Sequence, residues 1–286
     1  MTALADAYRY CEEITRRGGP HFSVGFNFLP ARKRNAIYAV YAFCRFADDI
    51  VDERQERPLE FLLRSWEEEL ARCYHQQPTH PITLALSDAV KRYPIPRGGF
   101  LKLLQGCRMD LLKNRYPTFR ALTGYFDRVS TPIRDLSLPI FGCLDAKAID
   151  LGCSLSTALQ LTNIIRDIGE DLDRGRIYIP LDEIAQAGLA ESEFKARTRN
   201  AAFLRLMRFQ CKRIRAFFRE AAGLIPLLEE DSRLTVSLMH NVYLALIDRI
   251  EAKPFDVLDR PIRLSRPERG EVVRRTILER DFKLAL

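Results

Sequence analysis

The strongest constraint in this sequence is the repeated placement of carboxylates on otherwise apolar helical stretches. In AIYAVYAFCRFADDIVDE, residues 36–53, the side chains of Tyr41, Arg45, Asp48 and Asp52 fall within an arc of about 60° when projected at the helical period. Asp49 lies toward the rim, and Ile37, Val40, Cys44, Ala47 and Val51 supply apolar flanks. In ALQLTNIIRDIGEDLDRGRIYIP, residues 158–180, Gln160, Asn163, Asp167 and Asp171 fall within about 80° of one another. This second stretch is uncharged from Leu151 to Ile165. Like charges four residues apart cost ~0.2–0.5 kcal/mol when exposed, and more when desolvated. Two such ladders call for a compensating cation. All-oxygen donors, carboxylates with an Asn carbonyl, suit Mg²⁺ or Mn²⁺ rather than zinc. Magnesium keeps places for water and ligand phosphate, so two opposed faces of this kind would form a cage for metal-bound phosphate. Arg45 stands one turn before Asp48, Arg166 adjoins Asp167, and Arg174 and Arg176 follow in a loop; guanidinium groups complement an anionic ligand.

The remainder of the chain carries the same helical period. Runs rich in Ala, Leu, Arg and Glu are punctuated by prolines, including Pro30, Pro58, Pro78, Pro94, Pro117 and Pro180. The pattern predicts helices over about 3–17, 31–52, 59–75, 80–91, 98–113, 118–145, 147–172, 200–228, 231–251 and 268–282. Pro132 and Pro139 should bend or break the sixth of these. Extended structure is expected only in short pieces such as 176–180. No repeat, low-complexity tract or linker divides the chain, so residues 1–286 read as a single all-α domain.

Charge adds little by itself. The net charge is +7, and the cations are 36 arginines against nine lysines. That bias fits an anionic ligand and equally fits solvated, ion-paired helix surfaces. Nucleic-acid binding is not expected: no helix-turn-helix signature, zinc module or dense basic stripe stands out, and buried acidic faces repel phosphate unless metal intervenes. The seven scattered cysteines contain no Cys-x-x-Cys and read as reduced thiols of a cytosolic protein. The first residues carry charge early and lack an apolar run, which reads against a secretion signal. The uncharged stretches fall short of the roughly 20 residues that span a bilayer.

The blocks YAFCRFADDIVDE (41–53) and ALQLTNIIRDIGEDLDRGRIYIP (158–180) resemble the two aspartate-rich signatures of the squalene/phytoene synthase family of head-to-head prenyl transferases. The run 26–45 and the surroundings of Tyr243 fit as well. The resemblance implies an isoprenoid-synthase helical bundle with a deep central cleft, and metal-dependent ionisation of a prenyl diphosphate. It implies metal ligation by Asp48, Asp52, Asn163, Asp167 and Asp171, and diphosphate contacts from Arg45, Gln160 and Arg166. Tyr41 would line the reaction centre, and Tyr243 would lie near the diphosphate. Phe22 and Phe26 are further aromatic candidates for steadying an allylic cation. His21 sits where the family often has a phosphate-contacting side chain.

Departures narrow the subfamily. Gly18-Gly19-Pro20-His21-Phe22-Ser23-Val24 replaces a Ser-Lys-Ser-Phe-like stretch, and residues 125–133 depart from Tyr-x-x-x-Val-Ala-Gly. Both look more like the bacterial hopanoid-pathway squalene and hydroxysqualene synthases, acting on farnesyl or presqualene diphosphate. Residues 163–167 are closer to the phytoene and presqualene diphosphate synthase pattern, so a phytoene or dehydrosqualene synthase of carotenoid biosynthesis is the alternative. Release of squalene would need NADPH; no Gly-x-Gly-x-x-Gly is present, which does not bear on this because the family resembled does not use a Rossmann module. A cytoplasmic enzyme working beside the inner membrane as a peripheral protein is expected from its greasy substrate and product. Its oligomeric state is left open.

Overall fold

The computed structural model describes residues 3–18, 23–52, 56–110, 113–143 and 145–284. The helices are α1 (Ala3–Gly18), α2 (Ser23–Phe26), α3 (Ala31–Asp52), α4 (Leu59–Tyr74), α5 (Pro81–Arg92), α6 (Arg97–Asp110), α7 (Phe119–Val129) and α8 (Thr131–Phe141). They continue as α9 (Ala146–Arg166), α10 (Ile168–Asp173), α11 (Leu181–Gln186), α12 (Glu191–Lys195), α13 (Ala201–Ala221), α14 (Glu230–Ala252) and α15 (Arg266–Leu284). A 3₁₀ helix, Ala222–Leu227, follows α13. The all-α expectation holds: among the described residues, extended pairing is confined to an isolated parallel bridge between Arg115 and Ile177.

The chain divides into two compact units. The first comprises Met1–Leu112, Arg128–Asp150 and Leu224–Val236; the second comprises Lys113–Asp127, Leu151–Gly223 and Ser237–Leu286. In the first unit α3 is the central element, packed by α1, α4, α5, α6 and α8. Its composition dictates this. Ala36, Ile37, Tyr38, Ala39, Val40, Ala42, Phe43, Cys44, Ala47 and Ile50 are all buried, so most of its circumference is covered by neighbouring helices. Phe43 stacks on Trp66 of α4 at 4.7 Å and meets Phe100 of α6 edge-on at 4.7 Å. The buried Lys33 amine donates to Glu229, to Asp231 at 2.5 Å and to Ser232 at 3.0 Å, which ties the start of α3 to the start of α14.

Glu69 of α4 is a second buried charge, and it is fully employed. It accepts hydrogen bonds from the Thr79 and His80 amides at 2.7 and 2.9 Å, and from the Thr83 hydroxyl at 2.6 Å. Arg72 adds an ion pair at 2.6 Å. Burial alone would push this carboxyl up, but the bonds from Thr83, Thr79 and His80 hold it down at about 2.

In the second unit, Asn200 caps α13 by accepting from the Phe203 amide at 3.0 Å. The buried Glu183 of α11 binds α13 through Arg213 at 2.5 Å and Gln210 at 2.6 Å.

Two proline effects differ. The helix expected over 118–145 is broken at Ser130, and Pro132 occupies the first turn of α8, where its missing N–H is not needed. Pro139 lies inside α8 without ending it. The helix expected over 147–172 is also divided, and that break falls inside the second acidic face.

Candidate active site

The first acidic face belongs to the first unit and to a single continuous helix, α3. Arg45 forms an ion pair with Asp49 at 2.6 Å, one turn further on. Tyr41 and Arg45 both pack on the last residue of α1: a Cβ at Gly18 would lie 3.1 Å from the Tyr41 hydroxyl oxygen and 3.2 Å from the Arg45 side chain. Asp48 and Asp52 keep accessible surface. The Asp48 carboxyl is nonetheless crowded by protein, and displacement of water pushes it up to about 7. Arg45 opposes this rise, while Asp52 and Asp110 add to it. The Cys107 thiol of α6 donates to Asp48 at 3.7 Å, and its own ionisation is suppressed by burial and by these carboxylates. Cys107 and Asp110 were not singled out from the sequence. They stand on a different helix, and no local pattern announces their approach to Asp48.

The second face belongs to the second unit. Here α9 ends at Arg166, Asp167 leaves helical geometry with φ −102° and ψ 14°, and α10 begins at Ile168. The i,i+4 amide bonds Asp167 N–H to Asn163 O and Asp171 N–H to Asp167 O both survive at 2.9 Å, so the three side chains keep their helical succession. Gly169 is the reason the interruption fits. Its N–H donates out of the ladder to Val257 O at 3.2 Å, and a Cβ there would sit 2.2 Å from Leu258 O. Only a residue without a side chain lets that loop approach.

Arg166 grips the neighbouring Asp167 with two hydrogen bonds, one of them from Nε at 2.7 Å. Burial opposes the guanidinium charge, and Asp167 more than restores it. Tyr243 of α14 is fully buried, and Asn163 and Arg166 both hydrogen-bond its hydroxyl. Burial pushes that hydroxyl up to about 12, so it remains protonated at neutral pH. Tyr243 therefore holds Arg166 and Asn163 in place. Asp171 is raised to about 8, by desolvation first and by the Asp167 charge next, against the pull of Arg176 and Arg174. The loop following α10 is fixed by backbone bonds: Arg176 N–H donates to Asp171 O at 2.7 Å, and Ile177 N–H donates to Asn114 O at 2.9 Å. Beyond it the rings of Tyr178, Tyr116 and Tyr125 meet as a trio, Tyr178 lying 5.7 Å from Tyr116 and 5.4 Å from Tyr125, which are 5.3 Å apart.

The donor set of the second face fits a hard divalent cation. Asn163 Oδ1 is buried and accepts no hydrogen bond from any described group. An orphaned carbonyl oxygen beside two carboxylates, one of them strongly desolvated, lacks the positive charge that such a cation supplies. Among the described residues no three His, Cys, Asp or Glu side chains already converge as a closed metal cluster.

The other expected residues are placed as follows. Gln160 is half-buried on α9, in succession with Asn163. Phe26 is buried, its ring 6.2 Å from Tyr38. His21 and Phe22 lie outside the described residues. All six described buried cysteines and the half-buried Cys153 are free thiols, and no described helix is long and apolar enough to cross a membrane.

Comparison with known proteins gives the family. Residues 15–268 match the family model described as squalene/phytoene synthase. The chain is 35% identical over 270 residues to the 15-cis-phytoene synthase of Synechococcus elongatus, covering 90% of this chain and 88% of the relative. It is 34% identical over 270 residues to the phytoene synthase of Arthrospira platensis, with 89% and 87% covered. A ligand-bound dehydrosqualene synthase superposes with a TM-score of 0.90 at 26% identity, covering 97% of this chain and 98% of the other. A squalene synthase from Alicyclobacillus acidocaldarius superposes at 0.82 and 31% identity, covering 91% and 97%. The chain, with an aspartate-bearing helix face in each of its two units, belongs to the squalene/phytoene synthase family of prenyl transferases.

Proposed function

We propose that this protein uses Mg²⁺, or Mn²⁺ in its place, to couple two allylic prenyl diphosphates head to head. The product we assign is squalene or hydroxysqualene, formed from farnesyl diphosphate or presqualene diphosphate. One observation carries the reading: the Asn163–Asp167–Asp171 face holds a buried, unpartnered carbonyl oxygen beside two carboxylates, with an arginine clamped among them. Asn163, Asp167 and Asp171 would hold metal on the second unit, and Asp48 and Asp52 would hold metal on the first. When bound, the cation neutralises charge that develops on diphosphate as the C–O bond breaks.

The chain's own groups do the rest. Arg166, oriented by Asp167 and Tyr243, offers its remaining donors to a phosphate oxygen; Arg174 and Arg176 add positive charge beside Asp171. Tyr41 would help shield the allylic cation from water and steady it with its ring face. The double bond of the second chain would then attack C1, and loss of a proton from the resulting cation would close the ring of a cyclopropylcarbinyl diphosphate. A second ionisation and rearrangement would give a linear cation; hydride, for which NADPH would be the donor, would yield squalene, and water, with loss of a proton, would yield hydroxysqualene.

The likeness to the phytoene synthases of Synechococcus elongatus and Arthrospira platensis favours a second reading, phytoene synthesis from the C20 diphosphate. Product analysis with farnesyl, geranylgeranyl and presqualene diphosphates, each with and without NADPH, separates them. A C30 product from farnesyl or presqualene diphosphate supports the assignment, and a C40 product from geranylgeranyl diphosphate alone replaces it with the second reading. Consumption only with added isopentenyl diphosphate would overturn both.

A further inference from the structure

The exposed side of α13 is unlike other exposed helix faces of this protein. On α1 the outward arginines are balanced by acids one turn away, as Arg9 with Asp6, Arg16 with Glu12 and Arg17 with Glu13. On α15 Glu271 serves Arg274 and Arg275. On α13 the exposed Arg205, Arg208, Lys212 and Arg219 fall within about 60° of helix circumference, and no described carboxylate lies within ion-pair distance of any of them. Arg205 donates only to the Ala187 carbonyl oxygen, at 2.9 Å. The exposed arc contains a single acid, Glu220, at its C-terminal end.

An aromatic group flanks this stripe. Phe209 is 48% exposed, an unusual position for a large apolar ring. Arg213, whose charge is already taken by Glu183, lies 4.6 Å from the Phe209 ring centre and 3.9 Å from that of Phe119. The Phe119 ring is in turn 6.5 Å from Phe217. The buried side of the helix, with Phe203, Leu206, Met207, Ile214 and Phe218, is fully used by the core. What remains outside is a rigid strip of uncompensated cations edged by an apolar ring.

We propose that this face of α13 docks on an anionic lipid surface, with Arg205, Arg208, Lys212 and Arg219 against the headgroups and Phe209 seated at the acyl boundary. Charge complementarity selects an anionic partner, and the exposed ring selects a bilayer over a nucleic acid, because a phosphate backbone has no apolar layer for it to enter. No described helix crosses a membrane, so attachment of this kind is interfacial. The inference is independent of which prenyl chain the enzyme accepts.

Co-sedimentation of the full chain with vesicles of phosphatidylglycerol and phosphatidylcholine, against phosphatidylcholine alone, tests it. Binding is expected only to the anionic vesicles and should weaken steeply between low and physiological salt. Each cation contributes about fivefold to partitioning at such a surface, so R208Q/K212Q should lower it by more than tenfold. Phe209→Ser should weaken it further, with the thermal midpoint of each variant checked against wild type. R208E/K212E/R219E should abolish binding; if that variant does not fold, the glutamine pair and Phe209→Ser carry the test. Absence of wild-type binding to anionic vesicles at low salt overturns the proposal, as does binding indifferent to the glutamine pair. Preferential binding of a single-stranded RNA, unaffected by Phe209→Ser, would assign the stripe to nucleic acid instead.

Discussion

The two acidic faces share an Asp-x-x-x-Asp spacing but are built differently. Asp48 and Asp52 ride on an uninterrupted helix whose register follows from its apolar positions. Asp167 occupies a helix break, and its surroundings depend on Gly169 receiving the Val257–Leu258 backbone. Their arginines differ in the same way. Arg45 pairs along the helix with Asp49, an i,i+4 contact that local geometry alone provides. Arg166 is clamped by its immediate neighbour and by a tyrosine 77 positions downstream. A spacing motif thus states which side chains share a face, and not how rigidly the backbone presents them.

The largest expected effect comes from removing one charge on each face. Asp48→Asn and Asp171→Asn should each lower product formation by about a hundredfold or more, without lowering the thermal midpoint. Both carboxyls are raised above their ordinary value, chiefly by desolvation, so a neutral amide in either place should not cost stability. A fall in thermal midpoint matching the loss of activity would reduce these residues to structural ones.

Gly169→Ala tests the difference itself. The added Cβ meets backbone rather than a movable side chain, so a loss of about 1–3 kcal/mol in stability is expected, with reduced activity. Equal stability by denaturant unfolding would show that the loop contact is dispensable to the second face.

Glu69 sharpens the comparison from outside the site. Its side chain is buried, yet its hydrogen bonds lower it to about 2 where Asp48 and Asp171 are raised. A depressed folded-state value contributes stability above the unfolded value of 4.5, and that contribution is lost as pH falls toward about 2. Glu69→Gln should cost about 1–3 kcal/mol at neutral pH and flatten the acid limb of the stability curve. An unchanged limb would assign acid sensitivity elsewhere.

The smallest effect is a control for Gly169. A Cβ at Gly98, in the first turn of α6, meets nothing within 4 Å. Gly98→Ala should raise stability by about 0.5 kcal/mol, opposite in sign to Gly169→Ala, because it restricts the unfolded chain without a clash. A melting shift of either variant in the other's direction would contradict the reading of both contacts.

Much of the helical architecture was legible from periodicity. α1, α3, α4, α5 and α14 lie within a residue or two of their expected limits, because apolar spacing and flanking prolines act locally. The break before α8 was legible too, since Pro132 is accommodated in a first helical turn, where its missing N–H is not needed. The short α2, α11 and α12 were not anticipated; helices of one or two turns carry too few residues for a period to register.

The sequence by itself determined that this chain is helical, that two helix faces carry carboxylates, and which arginines accompany them. Those properties depend on residues three and four apart, which helical geometry brings together whatever the rest of the chain does. Only the tertiary structure decided that Asp167 sits at a break, that Tyr243 secures Arg166, and that Cys107 and Asp110 crowd Asp48. Each of these joins residues from separate elements. Desolvation and neighbouring charge, which set what a carboxylate can bind, are properties of those assembled surroundings.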